Sequence, residues 1–429
     1  MGGNNHHTKR SRRKYLAGIG TAVALGLAGC SGDGSGSDNG NGNEGGGEIS
    51  ASDGTTTGST ADGTTTGSAS DGTTTGSASD GSSSDGSYTF GLPLNGQDIF
   101  KTTMRRTSEI YASKAHGSQL ITTNARGETS RQIRQVKNML NQGIDGLLLN
   151  SVSTEATASV AEQAKDAGVP VYTIDTTANT DAVSMFTGFG SVRGGRRAGE
   201  ALIEAVKERG GSKLYAVMGD PAVQTISLRK NGFDQAVEEA GGVEIVGSGP
   251  GSFSQEETIT AVSAFLQNNE VDGVFSTWGG GGVATVTALE RQGQLNKRSE
   301  DGHVSIVPID GFPDVLQNIR EGYITSALQQ PMPFYGPIAI EYMIKQLESG
   351  SFQGPSAGDT IEESAITIQN VEFNGVQPFS QPYWAPASVT TWESDGTEYH
   401  PWVQPKSPTI TPDNADAQYF WGNYIDDIR

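Results

Sequence analysis

From Tyr88 onward the chain alternates short apolar runs with longer stretches whose apolar residues recur at helical spacing. The apolar runs predict ten strands, at residues 88–93, 118–123, 146–150, 171–175, 185–189, 213–219, 243–249, 273–278, 305–310 and 324–329. Amphipathic stretches of about 12 to 18 residues separate most of them, which is the spacing of βα units. Repeated βα units predict parallel sheets covered by helices on both faces. Ten strands favour two doubly wound lobes over a single sheet.

The first thirty residues depart from this pattern and indicate an export signal. Arg12 and Arg13 form a twin-arginine pair before a short apolar run, residues 16–29, and the sequence LAGC spans the end of this run and Cys30. We predict that residues 1–29 are a twin-arginine lipoprotein signal peptide and that Cys30 is lipidated. The lipid would anchor the protein to the outer face of the cell membrane. Cys30 is the only cysteine, so no disulfide forms within the chain.

Residues 30–87 are predicted to be a disordered tether of Gly, Ser, Thr and Asp. The sequence DGTTTGS recurs from Asp53, Asp62 and Asp71, with almost no apolar side chain between the copies. A segment of this composition cannot bury a core.

The other end of the chain, from about residue 355, is predicted to be irregular. Four of the five tryptophans lie there: Trp384, Trp392, Trp402 and Trp421. We expect residues 387–429 to form a C-terminal extension that wraps around a lobe with its aromatic side chains buried. Deletion of residues 388–429 should then reduce stability more than specificity.

The charge balance restricts the partners. The chain has 29 Lys and Arg against 49 Asp and Glu, a formal net charge of −20. Nucleic-acid binding is disfavoured because it needs a basic surface. The acidic composition resembles that of proteins from extreme halophiles, and we expect a halophilic archaeal source.

Polar and aromatic side chains follow the predicted strands at the edge where open parallel sheets bind ligands. They are Asn95, Asp98 and Phe100 after the first strand, Asp175 at the end of the fourth, Asp220 and Arg229 after the sixth, and Trp278, Asp310 and Gln330 at or after the last three. Asp and Gln bind hydroxyl groups, Arg is a fork of donors, and Phe and Trp are flat apolar plates. This set predicts a sugar or polyol ligand. The alternative is that the aspartates cap helices, Arg229 pairs at the surface and Trp278 is core.

Residues 88 to about 350 resemble the ribose-binding-protein family of ABC-transporter solute receptors, the type I periplasmic binding proteins. The resemblance rests on the order of VPVYTIDTT (169–177), GSVRGGRRAGEAL (190–202), SLRKNGFDQAV (227–237) and SIVPIDGFPDVLQNIREG (305–322). It implies two lobes joined by three crossovers, with sugar held between them. The first lobe would comprise residues 88–190 plus 331–364, and the second residues 191–330 plus 365–386.

The resemblance also implies roles for individual residues. Asp175 matches the aspartate that grips sugar hydroxyls from the first lobe, and Arg229 matches the arginine that reaches the ring from the second. Asp310 matches a second aspartate of the family, and Gln330 matches the glutamine beside the hinge. Phe100 matches a phenylalanine that stacks on the sugar, and Phe253 matches one that faces it.

Three positions depart from the family pattern. Thr176 stands where ribose receptors have an arginine, Ser191 stands near an expected Asp-Asn pair, and Trp278 replaces an asparagine. These departures leave the identity of the sugar open, and a sugar acid is among the possibilities.

Four consecutive glycines, residues 279–282, raise a competing hypothesis. With Ala284 they fit the dinucleotide-binding pattern G-x-G-x-x-[GA], which would indicate an exported nicotinamide-dependent oxidoreductase. The pattern normally lies in the first βα unit, however, and here it follows the eighth strand. We instead expect the glycines to let the backbone approach a sugar beside Trp278, with no enzymatic activity, cofactor or metal.

The expected function is capture of a pentose, hexose or polyol for an ABC importer. The chain lacks the GxxxxGK[ST] phosphate-binding motif, so the ATPase would be a partner subunit that acts with a membrane permease. The protein is expected to be a monomer. The same fold would also serve a sugar receptor for a membrane signalling protein.

Overall fold

The computed structural model of the protein describes residues 87–221 and 223–429. Its strands are β1 Thr89–Leu94, β2 Gln119–Asn124, β3 Gly146–Leu149, β4 Val171–Ile174, β5 Val183–Thr187, β6 Lys213–Met218, β7 Glu244–Pro250, β8 Gly273–Ser276, β9 Ser305–Pro308, β10 Ala327–Leu328, β11 Thr360–Ile361, β12 Ala387–Ser394, β13 Thr397–Gln404 and β14 Thr409–Ile410. The predicted signal peptide, the lipidation site Cys30 and nearly all of the predicted tether lie outside the described residues.

Helices connect most of these strands. The α-helices are α1 Ile99–His116, α2 Thr129–Asn141, α3 Ala158–Asp166, α4 Ser191–Glu208, α5 Gln224–Ala240, α6 Gln255–Leu266, α7 Gly279–Arg291, α8 Pro313–Glu321, α9 Tyr335–Ser349 and α10 Ile425–Ile428. Short 3-10 helices lie at Met332–Phe334, Glu363–Ala365 and Trp421–Asn423. Within the described part of the chain, no helix combines the length and the apolar character that crossing a membrane requires.

Two sheets form the centres of two lobes. The first lobe is built on an eight-stranded sheet of order β11-β12-β13-β5-β4-β3-β1-β2, and the second on a four-stranded sheet of order β7-β6-β8-β9. The second sheet is parallel throughout, and the first is parallel from β13 to β2. Strands β3, β4, β8 and β9 are buried at every position, because helices cover both faces of a parallel sheet. The predicted fold class of two parallel-sheet lobes is confirmed.

All ten predicted strands are present as β1 to β10. The tenth is the most altered, because only Ala327 and Leu328 form a strand, and they pair antiparallel with β14. A bridge between Ile309 and Leu328 places this pair beside the end of β9. The pair of β10 and β14 lies close to the point where the chain leaves the second lobe.

The prediction of an irregular chain from about residue 355 is wrong for residues 387–404. Strands β12 and β13 form an antiparallel hairpin, and β13 pairs in parallel with β5 of the first-lobe sheet. The turn consists of Asp395 and Gly396, with φ values of 50° and 76°. An Asp-Gly pair with both φ values positive is a strong hairpin signal, because this turn matches the twist of the two strands.

The chain passes between the lobes at the three expected crossovers, residues 188–190, 329–331 and 405–408. The chain crosses between the lobes a fourth time near the C-terminus. Arg320 of α8 in the second lobe pairs with the Asn423 side chain. Five residues on, the Ile428 carbonyl accepts a hydrogen bond of 2.6 Å from Arg106 Nε of α1 in the first lobe. The C-terminal segment, residues 421–429, thus contacts both lobes.

The tail aromatics are largely buried, as predicted: Trp384, Trp392 and Trp421 are buried and Trp402 is half-buried. Residues 365–386, which the resemblance assigned to the second lobe, include Phe379, whose ring contacts Tyr111 of α1 and Phe334. The lobe boundaries as a whole stay a prediction.

Candidate ligand-binding site

A cavity of about 370 Å³ lies between the two lobes, at the carboxyl ends of strands from both sheets. Its volume falls in the range of roughly 300–1,000 Å³ that is typical of small-molecule sites. Nine of the ten residues that the sequence selects line it: Asn95, Asp98, Phe100, Asp175, Arg229, Phe253, Trp278, Asp310 and Gln330. The sequence did not select seven further lining residues: Ile99, Lys101, Thr176, Val223, Thr225, Ile226 and Phe312. A binding role for each of these residues stays a prediction.

Asp220 is the selected residue that does not line this cavity. It lies in the loop between β6 and α5, where its carbonyl oxygen accepts a hydrogen bond of 3.1 Å from the Val223 amide. This turn brings Val223 and Thr225 to the cavity in its place. A position just after a strand therefore does not place a side chain at the cavity when the following loop turns sharply.

Asp175 and Asp310 project into the cavity from the ends of β4 and β9. Both adopt the left-handed backbone conformation, with φ of 65° for Asp175 and 86° for Asp310. Asp tolerates this region better than most residues, and backbone strain of this kind concentrates at functional sites. Their carboxylates accept hydrogen bonds from the side chains of Lys101, Asn150 and Gln330, which disfavours the alternative that they only cap helices.

The Asp310 carboxylate is held by the crossover between the lobes. Gln330 Nε2 donates a hydrogen bond of 2.7 Å to Asp310 Oδ1, and the Gln330 amide oxygen accepts one of 3.3 Å from the Tyr335 hydroxyl. Burial raises the pKa of Asp310 to about 6, although Arg229 and the Gln330 hydrogen bond oppose that rise. The Asp310 carboxyl group therefore changes its protonation state at a higher pH than an exposed aspartate does.

Asp175 is paired with a lysine that the sequence did not reveal. Lys101 Nζ forms an ion pair with the Asp175 carboxylate, and the two side chains are only 14% and 13% exposed. Asn150 Nδ2 also donates to Asp175, at 3.2 Å. The ammonium group lies 5.0 Å from the centre of the Phe100 ring, so it contacts both the carboxylate and the aromatic wall. The sole sequence signal for Lys101 was its place next to Phe100.

Two other polar residues at the cavity also support the local fold. Asp98 caps α1, because its carboxylate accepts a hydrogen bond of 2.7 Å from the Lys101 amide. Asn95 Nδ2 donates to the Ser151 carbonyl at 3.2 Å. These bonds orient Asn95 and Asp98, and each retains further hydrogen-bonding capacity for a ligand.

Arg229 reaches the cavity from α5 and is buried. One terminal nitrogen, Nη1, donates to the Thr277 carbonyl at 2.7 Å, and the guanidinium lies 5.1 Å from the centre of the Phe189 ring. Its Nε is buried and has no hydrogen-bond partner among the residues that the structure describes. A buried donor without a partner is costly, so this guanidinium suits a ligand that brings acceptor oxygens.

Four aromatic rings form the apolar walls: Phe100 from the first lobe, and Phe253, Trp278 and Phe312 from the second. Phe253 and Trp278 meet edge to face, with ring centres 5.5 Å apart. Trp278 is 8% exposed, while Phe253 is 44% exposed at the cavity mouth. Flat apolar rings beside hydrogen-bonding groups suit the C–H faces and the hydroxyl edges of a sugar ring.

Residues 89–351 match the model of the periplasmic binding protein domain. The chain belongs to the periplasmic binding protein family. Among curated relatives, it is 24% identical over 262 residues to the ribose import binding protein of Bacillus subtilis, covering 61% of this chain and 82% of that protein. It is 26% identical over 264 residues to the D-apiose import binding protein of Paraburkholderia graminis, covering 60% of this chain and 80% of that one.

Solved structures show the same fold. A solute-binding protein from Bacillus halodurans with bound myo-inositol aligns with a TM-score of 0.59 and 19% identity, over 79% of this chain and 99% of that one. One from Actinobacillus succinogenes with bound D-allose aligns with a TM-score of 0.60 and 18% identity, over 77% and 99% of the two chains. The fold of this periplasmic binding protein is thereby the two-lobe type that the resemblance implied.

The four glycines of this periplasmic binding protein contact protein groups, which contradicts the expectation that they approach the ligand. All four are buried in the first turn of α7, and none lines the cavity. A Cβ atom at Gly280 would lie 2.1 Å from Cζ3 of Trp278, and one at Gly282 would lie 2.8 Å from Cβ of Pro308. The missing side chain at Gly280 thus makes room for the indole that forms the cavity wall, and the one at Gly282 makes room for Pro308. The glycines give no support to dinucleotide binding.

Proposed function

We propose that this protein is the extracytoplasmic solute-binding component of an ABC importer and that it captures a sugar or polyol between its lobes. The observation that carries the proposal is the cavity that Asp175 enters from the first lobe and Asp310 and Arg229 enter from the second. The curated relatives quoted above are named as import binding proteins, for ribose and D-apiose, and the two solved structures hold myo-inositol and D-allose. Those ligands are all small and rich in hydroxyl groups.

The charges at the cavity favour a neutral ligand. Three aspartates line it, Asp98, Asp175 and Asp310, against two cations, Lys101 and Arg229. Lys101 is already paired with Asp175, so no free excess of positive charge is available for the carboxylate of a sugar acid. Hydroxyl groups, by contrast, donate to aspartates and accept from the guanidinium in the same site.

The proposed mechanism is capture by lobe closure. A ligand that contacts both lobes binds the closed arrangement more tightly than an open one, so it shifts the population toward the closed state. Hinge closure around a ligand is the general behaviour of periplasmic binding proteins. Asp310 is well placed to couple binding to closure because it contacts both the cavity and Gln330 at a crossover. No chemical step is proposed.

The proposed setting follows from residues outside the described structure. A lipid on Cys30 would tether the protein to the outer face of the membrane, beside a permease and an ATPase subunit. Export through the twin-arginine route, a monomeric state and a halophilic host belong to the same proposal. They rest on the sequence and on the net charge of −20.

A thermal-shift screen of the full chain in molar salt tests the proposed ligand class. The panel holds pentoses, hexoses, polyols, sugar acids and nicotinamide nucleotides. A ligand at a hundred times its Kd stabilises the fold by about 2.7 kcal/mol, which raises the unfolding midpoint measurably. We expect a shift with at least one neutral sugar or polyol. A shift with a sugar acid alone would contradict the charge argument, and a shift with nicotinamide nucleotides alone would contradict the binding-protein proposal.

A further inference from the structure

A second cavity of about 290 Å³ adjoins the first. The two cavities share five lining residues: Asn95, Asp175, Thr176, Val223 and Thr225. The first-lobe wall of the second cavity is the loop of residues 151–155, and the second-lobe wall is the first turn of α5. The cleft between the lobes therefore extends past Asp175, on the side away from Trp278 and Asp310.

The far wall of the second cavity is aromatic and comes partly from the C-terminal hairpin. Trp392 of β12 and Phe186 of β5 both line it. Their rings meet edge to face with centres 5.5 Å apart, and Trp392 Nε1 donates a hydrogen bond of 2.9 Å to Asn179 Oδ1. Trp402 packs against both rings, with centres 5.4 Å and 5.5 Å away. This packing fixes the position of the aromatic wall.

The other lining residues of the second cavity offer hydrogen bonds from both lobes. Glu155 accepts hydrogen bonds from Thr154 Oγ1 at 2.7 Å and from Asn179 Nδ2 at 3.2 Å, which orients its carboxylate at the first-lobe side. Gln224, the first residue of α5, is exposed and brings an amide from the second lobe. None of the described residues that line this cavity is Lys or Arg, so it does not favour a phosphate or a uronic acid.

We propose that the two cavities are consecutive subsites for a neutral disaccharide or glycoside. This proposal rests on the proposed function. One ring lies among Asp175, Arg229 and Asp310, and the second neutral ring lies between Gln224 and the aromatic wall of Trp392 and Phe186. The two cavities differ little in volume, so the second has room for a group of comparable size. Hydroxyl-binding side chains beside a fixed aromatic wall are again the groups that recognise a sugar ring.

Matched ligand pairs test the second subsite on the full chain. The pairs are D-xylose with xylobiose, D-galactose with lactose, D-glucose with cellobiose and with trehalose, and myo-inositol with galactinol. The Kd of each is measured by calorimetric titration. We expect at least one disaccharide or glycoside to bind at least tenfold more tightly than its single-ring partner.

Two variants locate the effect. Gln224→Trp fills the second cavity and should bring the ratio of the two Kd values to about one. Gln235→Trp introduces the same side chain at an exposed position further along α5 and should leave the ratio unchanged. Trp392→Leu, which removes the ring of the aromatic wall, should lower the ratio by a different route. It keeps the test open if Gln224→Trp does not fold.

The outcomes separate the two proposals. A preference of less than tenfold for every two-ring ligand over its single-ring partner would overturn the second subsite and leave the proposed function intact. A preference that survives both Gln224→Trp and Trp392→Leu would also overturn the second subsite. Absence of binding by every sugar of either size would overturn the proposed function as well.

Discussion

Asp175 and Asp310 occupy corresponding positions in the two lobes, and both have a left-handed backbone, with φ of 65° and 86°. Each lies just after a strand of a parallel sheet, and both line the same cavity. A left-handed conformation at a residue other than glycine costs on the order of 1–3 kcal/mol. The left-handed conformation at both strand ends is explained if the two carboxylates bind one ligand from opposite sides.

The strain at Asp310 is accompanied by an electrostatic cost, and Asp310→Asn should remove that cost. Burial raises the pKa of Asp310 to about 6, above its unfolded value of about 4. As the pH rises from 4 to 6, the unfolded chain releases this proton before the folded chain does, so stability falls. The loss is roughly 3 kcal/mol once Asp310 is ionised. The asparagine does not titrate, and its carbonyl oxygen can accept the same hydrogen bond from Gln330.

Urea unfolding without ligand measures this effect. We expect Asp310→Asn to be more stable than the wild type at pH 7.5, by up to about 3 kcal/mol, and the difference to shrink toward pH 4. A variant that is no more stable than the wild type at pH 7.5 would show that ionisation of the buried Asp310 carboxylate does not destabilise the fold.

Ligand affinity should depend on the same titration. Hydroxyl groups donate to the ionised form of Asp310, and at pH 5 only about one tenth of a group with a pKa near 6 is ionised. We expect the Kd for the preferred sugar to rise about tenfold between pH 7.5 and pH 5, as measured by calorimetry. In Asp310→Asn this rise should be absent. A wild-type Kd that is constant over this range would exclude a direct contact between the ionised carboxylate and the ligand.

Choosing polar and aromatic residues that follow the predicted strands located much of the cavity, because the carboxyl ends of parallel strands converge at one edge of a sheet. It placed Asp175 and Asp310 without knowledge of any contact. It did not exclude Asp220, because the turn between Asp220 and Val223 decides which side chains reach the cavity. Lys101 was missed because its location depends on the rotation of α1 against the sheet, which the periodicity of the sequence does not specify.

The hairpin of the C-terminal extension was missed for a different reason. Its turn signal, Asp395-Gly396, is present in the sequence, but Pro401 lies inside β13. Proline lacks the amide proton of a sheet ladder, so a run that contains it is normally judged not to be a strand. In the structure β13 pairs with β5 through Trp402 and Val403, beyond the proline. Tertiary packing of Trp392 and Trp402 on Phe186 overrides the local signal.

Gly280, in the first turn of α7, is predicted to affect ligand binding through Trp278. In Gly280→Ala the new methyl group would overlap the indole, so the ring must move and the ligand should bind at least tenfold more weakly. Gly282→Ala is the matched control, because its methyl group would press on Pro308 instead. Both variants should lose stability, since a buried contact closer than 3 Å requires repacking. Calorimetric titration that shows equal losses of affinity in the two variants would contradict a specific role for the indole position.

Trp421 should stabilise the protein more than the half-buried Trp402 does. It is fully buried, and its ring contacts Phe100 of the first lobe and Phe312 of the second, with centres 6.4 Å and 5.4 Å away. Trp421→Ala is expected to lower the free energy of unfolding by about 3–5 kcal/mol. Trp402→Ala, at a half-buried position, should cost less. A smaller loss for Trp421→Ala in urea unfolding would mean that the C-terminal segment does not join the lobes.

The C-terminal hairpin revises one expectation from the sequence. Deletion of residues 388–429 removes Trp392, which lines the second cavity, as well as the tail core. The deletion is therefore expected to alter ligand preference in addition to stability, and unfolding measured alongside titration would separate the two effects.

The central claim is that one ligand is held by both lobes, and calorimetric titration of the preferred sugar into three variants tests it most directly. Asp175→Asn and Asp310→Asn each replace a carboxylate with a residue that tolerates the same backbone conformation. Asp395→Asn is the control, because Asp395 is also left-handed, with φ of 50°, but lies in the hairpin turn outside both cavities. Loss of one charged hydrogen bond costs about 1.5–3 kcal/mol, so each cavity variant should bind roughly ten- to a hundredfold more weakly. The control should match the wild type. Wild-type affinity in either cavity variant would contradict capture between the two lobes.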